Sequence, residues 1–237
     1  MTNSLVLLPA FGCDKRLYQP QLQALGKQYA LNVLIPSEVR YDKMVAEILA
    51  QVPDSFAILG TSMGGRLALE VALAAPDRVE ALCIIGAGAG AVADQAAGLR
   101  RSARIRGGES TQVIAEMAEM IAHEPGPRGL SAKQAFVTMA TALDVDILAR
   151  QSDALAHRID LWERLDEIEC PTLCLWGVHD KFSPAADGLR IAETVQYGSY
   201  VELPDCGHFP TLEYPEEATE AIAMWLDDID DVGEDLD

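Results

Sequence analysis

Residues 56–65, Phe-Ala-Ile-Leu-Gly-Thr-Ser-Met-Gly-Gly, turn an apolar β-type run into an Ala/Leu-rich helical one with no loop between them. A strand that ends so abruptly must swing its chain through a space too small for flanking side chains, and glycines stand at both flanks, Gly60 and Gly64. Such a turn pushes the residue between them, Ser62, out above the sheet and makes it a candidate nucleophile. Gly-x-Ser-x-Gly arises by chance in about one chain in ten of this length at ordinary glycine and serine usage. The weight therefore rests on context: Leu67, Ala68, Leu69, Val71, Ala72 and Leu73 continue as a helix, and Pro76 stops it.

The rest of the chain repeats this order of apolar run, break and helix. Ser4–Leu8 reads as a strand closed by Pro9; a loop at Ala10–Asp14 precedes a helix carrying Leu17, Tyr18, Leu22 and Leu25. Leu31–Ile35 reads as a second strand closed by Pro36, and Met44, Val45, Ile48, Leu49 and Val52 space as one helix face. Val79–Ile85 gives a strand ending in Gly86-Ala87-Gly88-Ala89-Gly90, Thr172–Trp176 one ending in Gly177-Val178-His179-Asp180, and Tyr200–Leu203 one ending in Pro204-Asp205-Cys206-Gly207-His208. Alternation of this kind predicts an α/β fold with a mostly parallel sheet and functional loops at the carboxyl ends of the strands. Between Asp94 and about Asp160 the alternation lapses into helical periods with no strand, divided at Pro125-Gly126-Pro127, which predicts an inserted helical region. Its Met117, Met120 and Met139 suit helix packing, and also a pocket wall.

At 237 residues the chain suits one domain able to bury a core without staples. Its five scattered cysteines are expected as free thiols; Cys170 and Cys174 lack the spacing of a metal or redox pair. Lys and Arg number 18 against 37 Asp and Glu, a net charge of −19 that argues against nucleic acid or an anionic membrane as partner. Seven of the last eleven residues are acidic, so 227–237 reads as a solvated tail. No charged start precedes the first apolar run and no apolar stretch is long enough to span a bilayer, so a soluble, cytoplasmic protein is expected.

Ser62, Asp180 and His208 follow one another in the order Ser, Asp, His, each past the end of an expected parallel strand. A serine hydroxyl is a weak nucleophile at neutral pH. It needs an imidazole to take its proton, and the imidazole needs a carboxylate to fix its tautomer and favour its cation. Asp187 and Asp205 are rivals to Asp180, which alone combines a strand end with a downstream proline, Pro184. His123 and His157 fall in the inserted region, and His179 reads as a loop residue; no local ligand spacing supports a metal site from His179, Asp180 and His208. Arg100, Arg101, Arg104 and Arg106 form a basic cluster in an acidic chain. The plain reading is a solvated helix face; the sharper one is that one of them, or Arg66, reaches a substrate carboxylate.

Through Gly60-Thr61-Ser62-Met63-Gly64-Gly65, Gly177-x-x-Asp180-x-x-x-Pro184 and Gly207-His208-Phe209-Pro210, the chain resembles the α/β-hydrolase fold superfamily, in the group with enol-lactonases, small carboxylesterases and carbon–carbon bond hydrolases. The resemblance covers Leu5 to Leu226. It implies a core of residues 1–93 and 160–226, with 94–159 as a helical lid. It further implies a serine hydrolase with Ser62, Asp180 and His208 as catalytic residues, backbone N–H groups of Phe11 and Met63 as oxyanion donors, and Arg66 and Phe209 against a small-molecule substrate. Neither cofactor nor metal is implied, and the oligomeric state stays open. The chain departs from the family at Pro9-Ala10, where members commonly carry His-Gly, and in a short segment after Ile35. A ligand receptor or interaction protein on the same scaffold is the competing reading.

Overall fold

Six apolar runs become parallel strands of one sheet: β1 (Ser4–Leu8), β2 (Ala30–Val33), β3 (Phe56–Thr61), β4 (Val79–Ile85), β5 (Thr172–Gly177) and β6 (Gly198–Leu203), in the order β2-β1-β3-β4-β5-β6. The computed structural model describes residues 4–123 and 126–234. The central strands β3 and β5 are buried along their whole length, and β1 and β4 at every residue but Ser4 and Glu80. Such two-sided burial is what their unbroken Val/Leu/Ile runs require. The edge strands β2 and β6 are half exposed and correspondingly more polar.

Helices α1 (Gln19–Leu25), α2 (Tyr41–Leu49), α3 (Met63–Ala74), α8 (Ala185–Thr194), α9 (Pro210–Glu213) and α10 (Pro215–Glu234) accompany the strands. The helix expected across Leu17 to Leu25 is two pieces, a 3-10 turn over Lys15–Tyr18 and then α1, because Pro20 suits a helix start and not an interior. Between β4 and β5 the chain inserts α4 (Gln95–Arg104), α5 (Ser110–Ile121), α6 (Pro127–Ala142) and α7 (Val145–Ala156), with a π-type turn at Ile105–Glu109 where Gly108 takes φ +93°. The segment expected as a solvated tail continues α10 as far as Glu234; residues 235–237 lie outside the described residues. All five cysteines are free, and burial pushes Cys170 up to about 11 and Cys174 up to about 12. No helix among the described residues is long and apolar enough to cross a membrane.

Backbone meets backbone closely where α3 abuts the ends of β1 and β3. A Cβ at Gly64 would overlap the Leu8 carbonyl oxygen, and one at Gly60 would overlap the Gly64 carbonyl oxygen, backbone atoms that cannot swing aside. Gly64→Ala should therefore cost about 3 kcal/mol or more of stability. Gly107→Ala, whose Cβ would meet open space, should be neutral or slightly stabilising. Urea midpoints of the two variants check this, and equal stability would refute the contact.

Candidate active site

Ser62 is the one non-glycine among the described residues with positive φ (φ 55°, ψ −115°). A side-chain-bearing residue in such a conformation costs roughly 1–3 kcal/mol and persists only where its surroundings enforce it. Here two backbone bonds do so: the Ser62 N–H donates to the Ile85 carbonyl at 2.7 Å, and its own carbonyl accepts the Arg66 N–H at 2.9 Å as the opening bond of α3. The serine thus stands at the positive end of α3, beside N–H groups that the helix itself leaves unpaired.

His208 lies on the loop after β6 and is 3% exposed. Its Nδ1 is 2.7 Å from Asp180 Oδ2, and the Asp180 side chain is fully buried. Asp180 Oδ1 accepts the Phe182 and Ser183 N–H groups at 2.8 and 3.0 Å, so both carboxylate oxygens are engaged. A carboxylate only accepts; in the neutral ring, the hydrogen between them therefore belongs to Nδ1, and Nε2 keeps the lone pair. Phe182 and Phe209 hold the imidazole at ring-centroid distances of 4.8 and 5.4 Å. The chain at the end of β4 passes directly over this pair at Gly86 (φ +60°), where a Cβ would come within 3.0 Å of Asp180 Oδ2 and 3.2 Å of His208 Nδ1. That glycine is a requirement of the pair as much as of the turn.

Ser62, Met63, Phe11, His208 and Phe209 open onto one cavity of about 700 Å³, whose farther wall is formed by the inserted helices through Val113, Met117, Met120, Ile121 and Phe136. Met117 and Met120 thus line the cavity, whereas Met139 is packed in the core. Asp180 sits behind His208 and does not line it. The Phe11 loop is fastened from two sides. The Cys13 N–H donates to the Ala10 carbonyl at 3.0 Å, and Gln151 of α7 accepts the Gly12 N–H at 3.0 Å while donating to the Pro36 carbonyl at 3.0 Å. The Tyr18 hydroxyl, 2.7 Å from the Leu8 carbonyl and 2.9 Å from Thr61 Oγ1, ties the ends of β1 and β3 together.

One expected contact is corrected. Arg66 is 1% exposed and does not line the cavity. Its guanidinium donates to the carbonyls of Ala89 (2.6 Å), Gly90 (3.3 Å) and Ile159 (2.6 Å) and to Glu70 (3.0 Å). Nε is bonded to Glu70 within α3 and both terminal nitrogens to carbonyls at the two ends of the insertion, so the guanidinium fastens the insertion to α3. His179 stacks on His123 at a ring-centroid distance of 3.7 Å; with Asp205 these two place their ligand atoms within 4.8 Å of one another. The rings lie within 9° of parallel, and in that pose their in-plane lone pairs do not converge on one ion.

Sequence reasoning passed over Glu213. Buried at 1% exposure, its carboxylate accepts the N–H groups of His123 (2.9 Å), Gly207 (3.0 Å) and Phe209 (3.2 Å), on both sides of His208. A glutamate three residues past Pro210 gives no local sign of this, because its partners are set by the loop's fold. Glu213→Ala should lower stability by about 3 kcal/mol, since three buried donors lose a charged acceptor; a shift in the urea midpoint at unchanged slope checks it.

Residues 5–222 match the alpha/beta hydrolase family model. The chain belongs to that family, and it is a hydrolase. The chain is 25% identical over 94% of its length to the pimeloyl-[acyl-carrier protein] methyl ester esterase of Aliivibrio salmonicida, covering 92% of that protein. It is 30% identical over 71% of its length to a 2-hydroxy-6-oxononadienedioate/2-hydroxy-6-oxononatrienedioate hydrolase of Paraburkholderia xenovorans, of which it spans 61%. Among solved structures, a malate-bound thermophilic esterase from Thermogutta terrifontis superposes with a TM-score of 0.86 at 24% identity, over 95% of this chain and 90% of that one.

Proposed function

We propose that the protein hydrolyses a carboxylic ester of a small molecule through a covalent acyl-serine. The observation that carries this is Ser62, held in a strained backbone conformation at the mouth of α3, in the same cavity as a histidine whose far nitrogen is 2.7 Å from a buried carboxylate. In this reading Ser62 Oγ attacks the ester carbonyl as His208 Nε2 takes its proton. The N–H groups of Met63 and Phe11 receive the charge that develops on the carbonyl oxygen, and Asp180 stabilises the imidazolium. His208 then gives the proton to the departing alcohol, and a water activated by the same nitrogen releases the acid and restores the serine. Neither cofactor nor metal has a step in this sequence. The inserted helices serve as a lid that keeps bulk water from the acyl-enzyme.

An ester is favoured over a carbon–carbon bond because the methyl ester esterase relative aligns along 92% of its length, against 61% for the nonadienedioate hydrolase. The test is labelling with a fluorophosphonate probe alongside turnover of short methyl esters. Wild-type protein should carry one adduct, on Ser62; Ser62→Ala should carry none; Asp180→Asn should lower kcat by about 10³–10⁴ with a nearly unchanged KM. Absence of labelling together with absence of ester turnover refutes the reading.

A further inference from the structure

The charged side chains lining the cavity do not cancel locally. Arg104 is paired with Glu116 (2.7 Å) and Glu109 (2.9 Å), and Arg100 with Asp94 (3.4 Å). Asp187 faces Arg158 and Arg190, whose charges oppose the upward push of burial on its carboxyl. Arg106, a third member of the basic cluster, is bound to Asp153 away from the cavity. Arg101 lines the cavity, is partly buried and has no carboxylate partner among the described residues.

Its position is nonetheless held. The Arg101 Nε–H donates to Ser152 Oγ at 2.9 Å, Ser152 hydrogen-bonds onward to the Gly98 carbonyl at 3.2 Å, and the guanidinium lies over the Phe11 ring, 5.4 Å from its centroid. That leaves the two terminal nitrogens with no acceptor among the described residues, on a guanidinium already oriented by a hydrogen bond and an aromatic face. Burial pulls this guanidinium down from the ordinary arginine value, and the nearby Tyr41 phenol opposes that shift. An arginine remains cationic at neutral pH all the same. In a chain with 37 acidic residues, this cation in the cavity is paired with none of those among the described residues. The planar pair of free N–H groups matches a carboxylate in two-pronged geometry.

We propose that Arg101 determines specificity by binding a carboxylate carried by the ester substrate, so that the preferred substrate is a half-ester of a dicarboxylic acid. This rests on the hydrolase reading above for the chemistry, and on Arg101 alone for the choice of substrate. Phe11 connects the two, with its ring under the guanidinium and its main chain in the loop facing Ser62.

The experiment compares monomethyl adipate with methyl hexanoate, which share an acyl chain and differ in the terminal carboxylate. Wild-type kcat/KM should favour the half-ester by about tenfold or more, through KM. Arg101→Gln should abolish the preference and Arg101→Lys should retain part of it, because a lysine keeps the charge and loses the planar fork. Binding is read separately in Ser62→Ala protein, where monomethyl adipate should raise the melting temperature and lose that effect when Arg101→Gln is added. Equal wild-type turnover of both esters overturns the subsite and leaves the hydrolase reading standing. Binding in Ser62→Ala without turnover by wild type supports the subsite and overturns the hydrolase reading. Binding that survives Arg101→Gln overturns the assignment to Arg101.

Discussion

The first turn of α3 can sit where it does only because Gly64 has no side chain to strike the Leu8 carbonyl. This backbone-to-backbone contact brings the positive end of a helix against the ends of β1 and β3 and leaves Ser62 no ordinary conformation to adopt. It also sets the Phe11 loop, which leaves β1 at that point, on the same cavity as Ser62 and Met63. Strain at one residue is thus sustained by close packing around it, which resists local relaxation because interiors are filled nearly to crystal density. A looser junction would relieve the serine and scatter the groups that surround it.

The other half of the site depends on carboxylates that accept backbone N–H groups. Asp180 takes two in its own loop while it faces His208, and Glu213 takes three on the strands of chain around His208. Charged acceptors are stronger than neutral ones, and each buried donor would be costly unpaired. The insertion is woven into the same network. The Ile121 carbonyl accepts the His208 N–H at 2.8 Å, His123 shares Glu213, and Gln151 holds the Phe11 loop. The helices that wall the cavity therefore also position the loops at its floor, and a change in the insertion is transmitted to both.

What could be read beforehand follows the range of the physics involved. Strand and helix alternation, the glycine-flanked turn at Ser62 and the order of Ser62, Asp180 and His208 are carried by spacing within about ten residues or by position after a strand, and the structure has the strands in that series with Ser62 and His208 on one cavity and Asp180 beside His208. Gln151 and Glu213 were illegible because nothing near them in the chain distinguishes a buried network member from a polar helix position. Arg66 misled for the same reason: its place beside Ser62 suggested a ligand contact, while its partners at Ala89, Gly90 and Ile159 lie 23 to 93 residues away. The split of the first helix is legible in Pro20, whose preference for a helix start overrides the apolar period across Leu17 to Leu25.

Arg101 shows how net charge and local charge answer different questions. A net charge of −19 describes the field far from the surface, and at physiological salt that field fades within about 8 Å. Inside a walled cavity the screening ions are few, so an anion there responds to the nearest charges rather than to the total. The paired arginines at the rim contribute little, because each already faces a carboxylate and is open to water. Arg101 differs in both respects, being partly buried and without a carboxylate partner among the described residues, so a carboxylate that binds it gains an attraction the rim arginines have already spent. An acidic protein can in this way prefer an anionic substrate: the repulsion is long-ranged and screened, and the attraction is short-ranged and not.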